Sequence, residues 1–326
     1  MTYTLKGKNR LGIYLYIFFA GLIATVVMRT VACFNDLDLI SGYFNDKGLI
    51  TAADITLVAF MLILFLHKFT HSGADTVPKE DFGTPATYIP LGGLAVSVLF
   101  LVIELVIELL NMGEIFSGVT GVVKLITAVL GLLSMATFMM NILIEKKLSQ
   151  LRGAFSILTV LFFAMYSIGI YLGTDMPANS PTKILTEFAF IFTAIFFLYE
   201  TRISLGHSKW HSYAAFGLMT ALLLAYTSVP AIIFYLSGEG AVLAGGIAEL
   251  AAMLMLTLFV GARTLLLAFA QDDEVCELAE SIIDMNYERQ RHAEESPSEP
   301  LARGLNLNVE TTPENEASEA VENNND

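Results

Sequence analysis

Residues 212–236 read SYAAFGLMTALLLAYTSVPAIIFYL, 25 consecutive positions without a charged side chain. At about 1.5 Å per residue this run covers roughly 37 Å as a helix, against a bilayer hydrocarbon core of about 30 Å. A helix that is apolar on every side is either the centre of a large protein or a membrane span. The rest of the chain decides which. Seven further apolar runs occupy 11–33, 49–67, 88–110, 115–144, 153–173, 183–201 and 242–268. Over 326 residues, 55% are hydrophobic and 15% charged, with a mean hydropathy of +0.64. Soluble domains carry about 25% charged residues, so this chain has too little charge to cover a water-facing surface. The expected fold class is all-α: a polytopic integral membrane protein with eight transmembrane helices.

The basic residues test that count, because cytoplasmic loops collect Lys and Arg. With the N-terminal side taken as cytoplasmic, that side holds Lys6, Lys8, Arg10, Lys68, Lys79, Lys146, Lys147, Arg152, Arg202, Lys209, Arg289, Arg291 and Arg303. The other side holds only Lys47 and Lys183, while Arg29, Lys124 and Arg263 fall inside runs. Adding or removing one helix would destroy this alternation. It implies eight spans with both termini cytoplasmic. Short loops and the absence of an Asn-x-Ser/Thr acceptor fit a prokaryotic plasma membrane.

The net charge of -14 is concentrated at one end. Residues 271–326 hold sixteen acids and three bases, whereas 1–270 hold sixteen acids and fifteen bases. Three parts follow: a transmembrane bundle over 1–270, an amphipathic acidic helix over 271–292, and a disordered acidic tail over 293–326. In the second part Val275, Leu278, Ala279, Ile282 and Ile283 share one helical face, opposite Glu274, Glu277, Glu280, Asp284 and Glu288. Such a face is repelled by anionic lipid, so a protein surface is the better partner, with the loop carrying Lys146, Lys147 and Arg152 as candidate. The tail is rich in Glu, Ser, Pro and Asn and poor in apolar residues, a composition that does not fold alone. No basic footprint for nucleic acid is present.

Other features are structural. Cys33 and Cys276 would face opposite compartments, which excludes a bridge between them. Thr30-Val31-Ala32-Cys33 is a poor lipoprotein cleavage box, so the first helix is expected to be retained. A shift of 61 residues aligns Ala154 with Ala215, Phe155 with Phe216, Thr159 with Thr220 and Arg202 with Arg263, which suggests a parallel repeat of helices 5–6 and 7–8. Gly240, Ala244 and Ala248, and the pair Gly169 and Gly173, are small-residue positions suited to close helix packing. Pro230 should kink the seventh helix. Trp210 and Tyr213 look like interface anchors.

No phosphate loop, His-Glu-x-x-His, Gly-x-Ser-x-Gly or Cys-x-x-Cys is present, so no enzymatic chemistry and no cofactor are indicated. The informative residues are ionisable groups inside the runs, since charges there are costly and tend to face a bundle interior. Counting along the helices places Arg29, Asp54, Glu104, Glu108, Lys124, Glu187 and Glu249 in the outer half, with no comparable layer in the inner half. Five acids against two bases would hold a proton or draw in a cation. This suggests a ligand or proton site, with Glu104 and Glu249 as carriers and Lys124 pairing one of them. The competing explanation is structural: Glu187 and Arg202 in one helix, and Glu249 and Arg263 in another, oppose the helix macrodipole. His67 with His71, and His207 with His211, have i, i+4 spacing that could hold zinc, although their interfacial positions argue for histidines without metal.

Two functions fit these residues. One is a carrier or permease for a small cation, a proton-coupled solute or an amine. The other is a membrane sensor or scaffold whose acidic C-terminal tail recruits a cytoplasmic partner.

Overall fold

Each apolar run folds as a helix. The computed structural model describes residues 4–38, 43–67, 85–111, 119–143, 149–173, 177, 179–204, 210–239 and 247–265. Its helices are α1 (Thr4–Asp36), α2 (Lys47–His67), α3 (Pro85–Asn111), α4 (Val119–Leu143), α5 (Ser149–Leu172), α6 (Pro181–Ser204), α7 (Trp210–Phe234) and α8 (Ile247–Leu265). Among the described residues there is no strand beyond an isolated bridge between Leu37 and Phe44. Helices α1, α2, α4, α6, α7 and α8 contain segments long and apolar enough to cross a bilayer, and α3 and α5 carry shorter apolar segments, Leu91–Ile107 and Ser156–Leu172. The chain is therefore a multi-pass helical membrane protein. The acidic helix over 271–292 and the tail over 293–326 lie outside the described residues.

The exposed surface agrees with a lipid environment. Ile55, Val58, Leu62 and Leu66 along α2, and Val122, Ile126, Val129 and Leu132 along α4, are all exposed. In water such apolar stripes would be association sites. Against acyl chains they are ordinary.

Packing is organised around α7. Its apolar span is 78% buried, against 22% for that of α2. It packs on α1, α2 and α6, and on α8 through Gly217 against Thr264 and Ala221 against Gly261. From α6 the bundle continues through α5 and α4 to α3. There Ser97 Oγ donates to the Ala252 carbonyl of α8 at 3.2 Å. Where α5, α6 and α8 meet, Phe163, Phe197 and Phe259 stack with rings nearly parallel, at centroid spacings of 5.2 and 5.9 Å. Offset stacking adds to the area that such rings bury.

Hydroxyls inside the bundle bond to their own helix. Thr25, Thr56, Thr127, Thr193, Thr201 and Ser228 each donate to the carbonyl four residues earlier, at 2.7–2.8 Å. This satisfies a polar group where no water is at hand. Pro230 sits within α7, which continues to Phe234 and then widens into a π turn, Tyr235–Glu239, with Gly238 at φ 90°.

The close helix approach occurs at glycines other than those expected. A Cβ on Gly217 would overlap the Thr264 side chain, and one on Gly131 would lie 2.5 Å from Val102 Cγ2. A Cβ added at Gly169 would meet nothing within 4 Å, so within the chain no helix packs closely on it. Gly240 and Ala244 lie outside the described residues.

Replacing Gly217 with Val should overpack the α7–α8 contact and cost about 1–3 kcal/mol. Gly169→Val should be near neutral. Thermal unfolding of the detergent-purified protein separates the two, and equal losses would contradict this packing.

Candidate functional site

Two buried polar clusters hold α7, one near each end. The first lies toward the side of the α1–α2 connection, residues 37–46. Arg29 of α1 is 2% exposed, and its guanidinium carbon lies 4.5 Å from the centroid of the Tyr226 ring. This is a cation–π contact, which strengthens when desolvated. The Tyr226 hydroxyl donates to Asp54 Oδ1 of α2 at 2.6 Å. Among the described residues Arg29 and Asp54 form no direct ion pair, and Arg29 Nη1 is buried without a hydrogen-bond partner. Pro230, four residues on, has no N–H to give to the Tyr226 carbonyl. An unmatched donor and a carboxylate with one bond to the phenol make up this cluster.

The second cluster is closed. Arg263 Nε of α8 donates to Glu200 Oε1 of α6 at 3.1 Å, and Nη2 approaches Oε2 at 3.5 Å. The Tyr213 hydroxyl of α7 donates to the same Oε1 at 2.6 Å. Arg263 is 8% exposed and Tyr213 fully buried. These residues correct two expectations. Arg263 meets a specific carboxylate rather than only a helix dipole. Tyr213 is a core residue, not an interface anchor. Arg202, which the 61-residue shift aligns with Arg263, lies instead 6.0 Å from the Tyr199 ring.

The remaining candidates are spread over several helices. Lys124 of α4 and Glu249 of α8 are buried, and Glu104 of α3 is half-buried. Each of the three has an interaction partner, so none is a bare charge. Glu104 stands two turns after Ser97, and Glu249 one turn before Ala252, the residues whose hydrogen bond joins α3 to α8. Glu187 of α6 is half-buried; its Oε1 has no hydrogen-bond partner, and its backbone carbonyl accepts from Ser167 Oγ at 3.2 Å. Thr220 of α7 meets the Phe192 carbonyl of α6. Counting from that contact puts Glu187 and Tyr226 roughly 8–9 Å along their helices. With α6 and α7 antiparallel, the two lie at one height. The structure thus brings Arg29 and Asp54 together through Tyr226 and sets Glu187 level with them. The side chains of Glu108, His67, His71, His207 and His211 lie outside the described residues.

Lys183 has a different role from a loop charge. It sits in the first turn of α6, 4% exposed, and its Nζ donates to the Tyr171 and Gly173 carbonyls at 3.1 and 2.7 Å. These are free acceptors at the C-terminal end of α5, where a cation is also favoured by the dipole. Asp46 does the converse for α2: its Oδ1 accepts from Gly48 N at 2.9 Å as an N-cap.

No protein-family model, curated protein or solved structure matches the chain. Fold and site define a multi-pass helical membrane protein with a partly unsatisfied ionic cluster in its interior.

Glu200→Ala should strand a buried guanidinium and cost about 3–5 kcal/mol. Asp54→Asn leaves an oxygen for Tyr226 and should cost no more than about 1.5 kcal/mol. Denaturant unfolding in detergent tests the ranking, and the reverse order would mean that the first cluster is the structural one.

Proposed function

We propose that the chain is a membrane carrier for a small cation, a proton-coupled solute or an amine, built from eight spans with both termini on the cytoplasmic side of a prokaryotic plasma membrane. One observation carries the proposal, the contrast between the two clusters. A charge kept only for stability is best fully bonded, because an unsatisfied polar group in low dielectric is expensive. The Glu200–Arg263–Tyr213 cluster meets that condition. The Arg29–Tyr226–Asp54 cluster does not, since Arg29 Nη1 has no acceptor among the described residues. Unsatisfied polar groups beside a helix that contains a proline suit a site that exchanges a ligand.

In this reading Asp54 is the acid nearest the ligand, and Tyr226 relays between it and Arg29. Glu104, Glu108, Glu187 and Glu249 are the further carboxylates that hold a proton or cation, with Lys124 balancing them. The α7 helix, held at one end by a closed cluster and at the other by an open one, is the element whose movement would couple the site to either face.

The test is flux into liposomes containing the purified protein, with a panel of alkali cations, simple amines and amino acids and a pH dye inside. Asp54→Asn, Glu104→Gln and Glu249→Gln should reduce the flux at least tenfold while the proteins still insert. Wild-type rates in all three would remove the carboxylates from the mechanism. No flux of any probe with wild type would end the carrier reading.

A further inference from the structure

Charge balance at the open cluster narrows the ligand. Arg29 offers an unpartnered Nη1 donor deep in the bundle, and the side chain is 2% exposed. Asp54 is half-buried on the neighbouring helix, with Oδ1 committed to the Tyr226 hydroxyl. The two charges are of opposite sign and are separated by a phenol rather than joined. An inorganic anion placed on Arg29 would bring its charge toward Asp54. A simple cation placed on Asp54 would bring its charge toward Arg29. Either would also leave the site with a net charge in low dielectric, which is the costly condition. A molecule that is itself neutral but carries one ammonium and one carboxylate avoids both costs.

We infer that the Arg29–Tyr226–Asp54 cluster binds a small zwitterionic amino acid, its carboxylate on Arg29 Nη1 and its ammonium on Asp54. The inference rests on the carrier reading and names the substrate class of that same site. The surroundings restrict size. Cys33, one turn beyond Arg29, packs with Ala32, Ala231, Phe234 and Leu250 in an apolar cluster toward the α1–α2 connection. These walls are apolar and closely packed, so they disfavour a charged or long ligand side chain. The ligand would enter past Asp54, the more accessible of the two charges, with its carboxylate leading toward Arg29.

The experiment is calorimetric titration of the full chain in detergent with glycine, alanine and 4-aminobutyrate, and with ethylamine and propionate as the two halves of alanine. At least one of the three zwitterions should bind saturably. Ethylamine and propionate should each bind about tenfold or more weakly than alanine, the loss expected for one charge-assisted hydrogen bond. Arg29→Lys should weaken alanine more than ethylamine, and Asp54→Asn should weaken it more than propionate. The wild-type comparison decides even if Arg29→Lys does not fold. Ethylamine binding as tightly as alanine, or propionate doing so, would overturn the assignment of the missing half. If no zwitterion binds while a simple amine or cation is carried into liposomes, the zwitterion inference falls and the carrier reading stands. If nothing binds and nothing is carried, both fall.

Discussion

The hydroxyls of Tyr213 and Tyr226 fix α7, an uncharged helix, to carboxylates on two different neighbours. Tyr213 reaches Glu200 of α6 and Tyr226 reaches Asp54 of α2, each at 2.6 Å. Apolar packing alone gives weak orientation in a membrane, because acyl chains are as apolar as leucine. A hydrogen bond from a phenol to a carboxylate is directional and has no substitute partner in lipid. The two bonds lie 13 residues apart, roughly 20 Å along the helix. They set both the rotation and the height of α7, and the helices packed on it take their positions from there.

The two bonds differ in what stands behind them. Behind Glu200 is Arg263, which closes the charge balance and leaves little to gain from rearrangement. Among the described residues Asp54 has no direct counter-ion, and Arg29 lies against Tyr226 instead. The bundle is thus firmly held at one end of α7 and incompletely satisfied at the other. Ser97 and Thr220, which donate across to carbonyls of α8 and α6, show that neutral polar contacts join the helices elsewhere.

Helix positions were legible in the sequence because apolar runs and their breaks report span length directly. The run over 49–67 becomes α2, Lys47–His67, and that over 212–236 becomes α7, Trp210–Phe234. Arg29 and Asp54 were legible as costly charges inside such runs. Their link was not, since Tyr226 is one aromatic residue among many and spacing along a helix says nothing about what a neighbouring helix presents. Glu200 was hidden by its place near the end of a run, where water would ordinarily solvate it. The packing glycines were missed for a related reason. A motif such as Gly169 with Gly173 records the absence of a side chain, while close approach at Gly217 depends on Thr264, 47 positions away in the chain.

Lys183 has a consequence for how the protein is made. Its ammonium is buried against carbonyls at the end of α5, and those acceptors exist only once α5 has formed and ended. An α6 helix entering the bilayer by itself would leave the Lys183 ammonium without the two carbonyls it donates to. The two helices are therefore suited to leave the insertion machinery together as one hairpin, with the lysine's donors satisfied by its neighbour before lipid closes around it. The order of synthesis, α5 before α6, provides the cap before the charge that needs it.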